Sequence, residues 1–428
     1  MVLDTPTKWI QNVIVPRILK NDHFQGASLK KTEVRALETM KDNWASDMYE
    51  TNVIISHQGQ EKNISFLLKL MSENKSVREH MQSEKQFFNE IHFYSTVKPL
   101  FSSQTSLPEL KSVFDDFFPT CYYSYHNKDK VPQSFEDAVL VMENLKAQDF
   151  KLGNRTSLDF EHFSLVLRSL GTFHAFSYYM KERDPEKFRN IVVKPIMETN
   201  YANKNKEFIN VAFNNSELRV VEAFEAESSD CECNVARLRD MASRKPFEKF
   251  MDFVRPQEPL AVLCHGDLLR NNVLFRYENG KPTEMKFIDF QTIRYASPAI
   301  DLSLLLCMNS THELREKHFH ELLKVYHTSL RKTLAALLEK PEDELHPHYS
   351  FEAFLIDFRR HAGYGYLITA EFLPWMYAAE EELSTFLKVS SEEPMSPKYI
   401  EMQRLLGGEN ATRSLVTLAK DLLQYQCL

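Results

Sequence analysis

The chain has 428 residues, 43% hydrophobic and 12% aromatic, with 52 basic and 60 acidic side chains for a net charge of −8. That size and composition predict a globular chain with room for two lobes rather than a disordered one. No run of clustered Lys or Arg offers a nucleic-acid footprint, and no apolar stretch approaches the ~18 residues of a membrane helix.

In chain order, Met1-Val2-Leu3-Asp4-Thr5-Pro6 has an early acid and no apolar h-region, which argues against a secretory signal. Residues 51–55 (Thr-Asn-Val-Ile-Ile) read as a strand. Phe66-Leu67-Leu68-Lys69-Leu70 reads as a buried strand interrupted by one cation, and a Lys there can reach the α- and β-phosphates of a nucleotide. A helical segment follows with Phe87, Phe88, Ile91 and Tyr94 on one face and Glu90 among them. Residues 139–142 form a β-branched strand that ends at Glu143-Asn144-Leu145. Between Asp159 and Met180, Phe160, Phe163, Val166, Leu167, Leu170 and Phe173 recur at helical spacing, so His174 on that stripe is expected in the core rather than in catalysis. The polar stretch 203–240 predicts a solvated helix or loop. Cys231 and Cys233 lie within it, no second pair completes a zinc site, and the six scattered Cys are expected as free thiols of a cytoplasmic protein. Residues 313–340 carry a second helical stripe, and His346-Pro347-His348 reads as a surface loop. Phe354, Phe358, Tyr364, Tyr366, Phe372, Trp375 and Tyr377 make an aromatic-dense segment that Gly363 and Gly365 are expected to loosen.

The chemistry concentrates between 260 and 301. The apolar run 260–264 feeds His265-Gly266-Asp267-Leu268-Leu269-Arg270-Asn271-Asn272, and a strand leads out through 273–275. Tyr277-Glu278-Asn279-Gly280-Lys281 carries a hairpin turn signal, and a strand of alternating polarity delivers Asp289. Phosphoryl transfer demands alignment and positive charge on the nucleotide oxygens. Asp267 is placed to orient and deprotonate an attacking hydroxyl, while Asn272 and Asp289 supply oxygen ligands for Mg2+. Only ten Gly occur, and none assembles a dinucleotide-binding G-x-G-x-x-G or a P-loop.

On Leu263-Cys264-His265-Gly266-Asp267-Leu268, Asn271-Asn272, Ile288-Asp289-Phe290-Gln291 and Ser297-Pro298-Ala299-Ile300-Asp301-Leu302, the chain resembles the ecdysteroid kinase-like family. That group, also called CHK kinase-like, is related to choline kinases and aminoglycoside phosphotransferases. Looser matches extend upstream to Val141-Met142-Glu143-Asn144-Leu145 and Phe173-His174-Ala175. The resemblance implies that Glu90 pairs with Lys69, that Glu143 lies at the hinge under adenine, and that Lys41-Asp42-Asn43-Trp44-Ala45-Ser46 covers the ATP phosphates. Asn43 and Ser46 are thus nucleotide-binding candidates, although the Gly that family members carry just ahead of this segment is missing and Met40 and Lys41 stand there. Asp301 is expected to tie the backbone of the catalytic loop, with His265 beside it in a structural role.

Three departures from protein kinases point to a small-molecule acceptor. Gly266 stands where they carry Arg, Leu269 stands where they carry Lys, and only twelve positions separate Asp289 from Asp301. That spacing leaves no activation segment, so no protein substrate is expected. The resulting expectation is an α+β, two-lobe protein-kinase-like fold. Its small antiparallel-sheet lobe would span 1–143, and its large, mainly helical lobe 144–428. The expected activity is ATP- and Mg2+-dependent phosphorylation of a small-molecule hydroxyl, and the family resemblance implies that the acceptor is an ecdysteroid or related lipophilic alcohol. A catalytically silent ligand-binding protein and a choline- or aminoglycoside-type phosphotransferase are the alternatives.

Overall fold

The computed structural model describes residues 6–37, 46–72, 74–75, 78–79, 82–127, 134–199, 206–226, 232–243 and 245–428. The chain divides into two compact units. One comprises Met1–Lys151, Asn190–Thr199 and Leu274–Thr292; the other comprises Leu152–Arg189, Asn200–Val273 and Ile293–Leu428.

The first unit is built on an antiparallel sheet of β1 (Ser28–Ala36), β2 (Ser46–His57), β3 (Gln60–Met71), β4 (Cys121–His126) and β5 (Ala138–Glu143). Their order is β1-β2-β3-β5-β4, so β3 is central. Side chains alternate faces along a strand. Phe66, Leu68 and Leu70 of β3 therefore share one face, and pack with Val53, Val139 and Val141 on Trp9, Ile10, Ile14, Val15 and Ile18 of the N-terminal segment. The same alternation sends Lys69 and Met71 to the opposite face, where Met71 packs on Phe87 of the helix Ser83–His92. The strands Val273–Glu278 and Lys281–Phe287 are neighbours in a smaller sheet. Asn279 and Gly280 between them both have positive φ, 51° and 79°, as a tight hairpin turn requires. A single cut at 143/144 would separate this hairpin and Asp289 from the first unit. The Phe287 N–H bond to the Phe117 carbonyl, 2.7 Å, is one contact that keeps them there.

The second unit is mainly helical, and the expected α+β architecture is what forms. The helix Phe160–Arg183 starts where the Asp159 side chain accepts the His162 N–H, and it packs along the helix His312–Leu338. Every residue of the helix Ala299–Asn309 is buried. The helix Gly363–Tyr377 crosses it at Gly365, whose N–H meets Ser303 Oγ at 3.2 Å. Gly365 therefore does not loosen the chain, as its sequence context suggests. It lies inside a helix and permits close approach, since a Cβ there would sit 2.4 Å from Ser303 main-chain atoms.

The polar stretch 203–240 differs from expectation in its first half only, since residues 232–240 form a largely exposed helix. The helix Lys206–Ala226 is not solvated: Ile209, Phe213, Val220 and Phe224 are buried, together with Glu217 and Arg219. The physical reason is partners far along the chain. Lys249 clasps both Glu217 oxygens at 2.5 and 2.7 Å, and Arg219 donates to the Leu406 and Gly408 carbonyls at 2.8 and 2.7 Å. Nearby, buried Glu371 accepts from Ser216 and Gln403 at 2.7 and 2.8 Å. Burial pushes its carboxyl up to about 7 against those two hydrogen bonds.

Gly365→Ala should cost about 1–3 kcal/mol in urea denaturation, because the neighbour it meets is backbone. Folding raises the Glu371 pKa, so the folded chain holds this proton more tightly than the unfolded one. Stability is then greatest on the acid side and falls as pH rises from the ordinary carboxylate range to about 7. In Glu371→Gln the decline in Tm between pH 5 and pH 8 should shrink; an unchanged decline would clear Glu371 of the effect.

Candidate active site

Within the first unit, β3 places Lys69 on a central strand with 6% of its surface exposed. Its Nζ donates to Glu90 Oε2 and to Asp289 Oδ1, both at 2.7 Å, and approaches Gln291 Oε1 at 3.4 Å. Burial alone would weaken the ammonium, but Asp289 and then Glu90 outweigh it and hold Lys69 above its ordinary value. Burial likewise pushes Glu90 up to about 7, against the pull of Lys69. Asp289 keeps 21% of its side chain exposed. Its φ of 68° lies in the left-handed region, where Asp is among the few residues tolerated and where strain gathers at functional sites.

Two neighbours hold that conformation. Phe290 is fully buried and stacks on Phe93, with centroids 3.6 Å apart and planes 2° from parallel. Asn89, one residue before Glu90, donates to the Gln291 and Met197 carbonyls at 3.2 and 2.7 Å and accepts the Met197 N–H at 2.9 Å. No periodicity in the sequence marks Asn89 or Gln291 for these roles.

Of the other nucleotide-site candidates, Ser46 is buried at the start of β2, with Oγ 3.9 Å from Met48 Sδ, and Asn43 lies outside the described residues. The Glu143 carboxylate accepts the Thr120 N–H at 3.0 Å and the Gln148 side-chain amide. Asn144 donates to Glu50 Oε1 and Ser65 Oγ at 3.1 and 2.9 Å. Side chains at this strand end are thus engaged with the sheet and its flanks.

Within the second unit, the strand Val262–Cys264 pairs with Arg294–Ala296 and leads into the loop that bears Asp267. Gly266 turns the chain at φ 86°, a conformation a side chain would strain. The fully buried Asp301 accepts the His265 and Gly266 N–H groups at 2.7 and 2.8 Å. His174 Nε2 lies 3.3 Å from Asp301 Oδ2, and its Nδ1 lies 2.8 Å from the Tyr326 hydroxyl. Burial lowers the His174 pKa and keeps the ring neutral, so Nε2–H donates to Asp301. Burial would raise Asp301, but the His174 bond and the backbone donors prevail and hold it below its ordinary value.

The amide nitrogen of Asn272 donates to the Asp267 carbonyl and to Asp267 Oδ2, at 2.7 and 3.0 Å. A carbonyl can only accept, so this contact fixes which end of the amide faces it and leaves Asn272 Oδ1, a hard oxygen suited to Mg2+, turned away. The Asp289 carboxylate of the first unit is likewise a hard oxygen donor, so each residue by itself suits the ion chemically.

Potential ligand atoms of His174, Cys264 and Asp301 also lie within 4.8 Å of one another. These groups are otherwise engaged. Both Asp301 oxygens accept N–H bonds, burial raises the Cys264 thiol well above its ordinary value, and that thiol points to the Ser297 carbonyl at 3.3 Å.

Residues 40–339 match the model of the ecdysteroid kinase-like family. An uncharacterized kinase-like protein of Caenorhabditis elegans is 30% identical over 93 residues, which is 21% of this chain and 24% of that protein. The match therefore spans about a quarter of that relative's length. Among solved structures, an ethanolamine kinase of Plasmodium vivax aligns over 96% of this chain and 90% of its own, with 13% identity and a TM-score of 0.43. A GDP complex of aminoglycoside 2′-phosphotransferase IIIa aligns over 98% and 99%, with 13% identity and a TM-score of 0.38. A macrolide 2′-phosphotransferase of Brachybacterium faecium aligns over 88% and 92%, with 13% identity and a TM-score of 0.33. With the family model matching residues 40–339, well over half its length, the chain belongs to the ecdysteroid kinase-like family.

Proposed function

We propose that this chain is an ATP-dependent small-molecule kinase that phosphorylates a hydroxyl of an ecdysteroid or related lipophilic alcohol. The observation that carries the reading is Asp289, held in a left-handed conformation with its carboxylate on the buried Lys69–Glu90 pair. A strained carboxylate bonded to a buried cation is costly to build for stability alone. It is economical as a prearranged anchor for phosphates and their counter-ion.

In this reading Lys69 steadies the α- and β-phosphates, and Glu90 steadies Lys69. The Glu143 side chain is engaged elsewhere, so main-chain groups beside it take the base. Asp267 accepts the acceptor's hydroxyl proton as that oxygen bonds to the γ-phosphorus, while the bond from phosphorus to the β,γ-bridging oxygen breaks and ADP leaves. Asn272, bonded to Asp267 Oδ2, aims the carboxylate. Mg2+, held by Asn272 and Asp289, would neutralise charge on the phosphate oxygens. The described cysteines are free thiols, which supports a reducing, cytoplasmic setting, and no described helix is long and apolar enough to cross a membrane.

The reading is tested by incubating purified protein with ATP and Mg2+ against steroids, plant alcohols and amino-alcohols. Consumption of γ-phosphate with steroid-like alcohols is expected. Turnover with amino-alcohols alone would move the assignment to a choline-type enzyme. Nucleotide binding without turnover on any acceptor would make the chain catalytically silent.

Asp267→Asn should lower kcat by about 10²–10⁴ with folding intact, as removal of a general base does. Undiminished turnover would refute that role. Asn272→Ala and Asp289→Asn should each raise the Mg2+ concentration for half-maximal activity about tenfold or more. A variant with wild-type Mg2+ dependence would lose its place as a ligand.

A further inference from the structure

Six backbone donors of the loop 265–272 have identifiable destinations. His265 and Gly266 donate to Asp301, and Asp267 N–H lies 3.3 Å from His265 Nδ1. Leu269 and Asn272 donate to the carbonyls of Asp267 and Leu269, both at 2.9 Å. The Arg270 N–H leaves the loop and meets Asn309 Oδ1 at 3.1 Å. Asn309 is 2% exposed, and its own carbonyl accepts the Leu158 N–H at 2.8 Å.

Asn309 is the last residue of the buried helix Ala299–Asn309, where carbonyl groups lack partners within the helix and are open to outside donors. Asp301 lies in the first turn of the same helix. Eight residues separate the two, about 12 Å along the axis. One rod, buried on all sides, thus grips the loop before Asp267 through two N–H groups and after it through a third. Asn272 is two residues past Arg270, so the second grip sets where the Asp267–Asn272 contact forms.

We propose that Asn309 is a positioning residue: its side-chain oxygen holds the Arg270 N–H and thereby fixes the Asp267 carboxylate relative to Asn272. The proposal rests on the phosphotransfer reading above. Released from this contact, the second half of the loop is free to drift, and a misplacement of about 1 Å at a reacting group can cost ~10²-fold in rate. The need is for an acceptor at this point, not for an amide as such. Asn309→Asp keeps the acceptor while placing a buried carboxylate at a helix C-terminus, where the dipole disfavours it. Asn309→Leu keeps the approximate volume and removes the acceptor. Stability and positioning therefore separate between the two variants.

The test uses the full chain, with Asn309→Ala as a second acceptor-free variant. Steady-state kinetics and hydrogen exchange of the 265–273 peptide are measured together. In Asn309→Leu and Asn309→Ala, kcat should fall roughly 10- to 100-fold with KM for ATP within about twofold, and the peptide should exchange faster. Asn309→Asp should retain kcat within a few-fold and retain protection, even with a lowered Tm. Unchanged kcat in the acceptor-free variants overturns the proposal whether or not exchange changes. If Asp267→Asn lowers kcat as expected while these variants do not affect it, this inference fails and the phosphotransfer reading stands. If the wild type has no turnover, the phosphotransfer reading fails. Exchange then decides whether the tether exists, and unchanged protection in the acceptor-free variants rejects it.

Discussion

The second unit depends on one ionised carboxylate buried without a formal cation. Removing Asp301 from water would cost several kcal/mol if nothing compensated. Compensation comes from two backbone N–H groups and a neutral imidazole, itself held by a tyrosine hydroxyl. Each partner comes from a different part of the chain: the loop at 265–266, the helix Phe160–Arg183 and the helix His312–Leu338. The desolvation penalty thus acts as a constraint, because the carboxylate is tolerable only where all three parts meet. The loop carrying Asp267 inherits that constraint.

The first unit solves a related problem with opposite charge. Lys69 is a buried cation with two carboxylates, one nearly sealed and one still reachable from solvent. Leaving either partner unpaired would be expensive. This arrangement keeps the ammonium charged while burial lifts Glu90 toward neutrality. The central position of β3 matters here. An edge-strand Lys could swing into water, whereas this one is flanked by β2 and β5 and packs near the Phe87 ring at 5.8 Å.

Much of this arrangement was legible in the chain because it is local. The five-residue offset from Asp267 to Asn272, the Asn-Gly turn and the alternation around Lys69 are dictated by short-range geometry. What could not be read depends on distant partners. Glu217 and Arg219 look like solvent-facing charges until Lys249 and the carbonyls of Leu406 and Gly408 close around them. Gly365 reads as a loosening element unless Ser303, sixty-two positions earlier, is known to touch it. Asn309 ends an apolar helix and has no motif, and its role appears only when the Arg270 N–H is traced. Asn89 is hidden in the same way, one residue from a Glu that family resemblance does identify.

The aromatic stack beneath Asp289 has one more consequence. Phe290 adjoins the strained residue in sequence and lies flat on Phe93, with Phe118 and Tyr94 at its edges. The backbone angle of a partly exposed acidic residue is therefore governed by the fit of oily rings in the interior. Trimming any of those rings, or warming them until they rattle, would disturb Asp289 with no ionisable group altered. Lesions deep in the hydrocarbon interior and lesions at the carboxylate would then look alike to an assay.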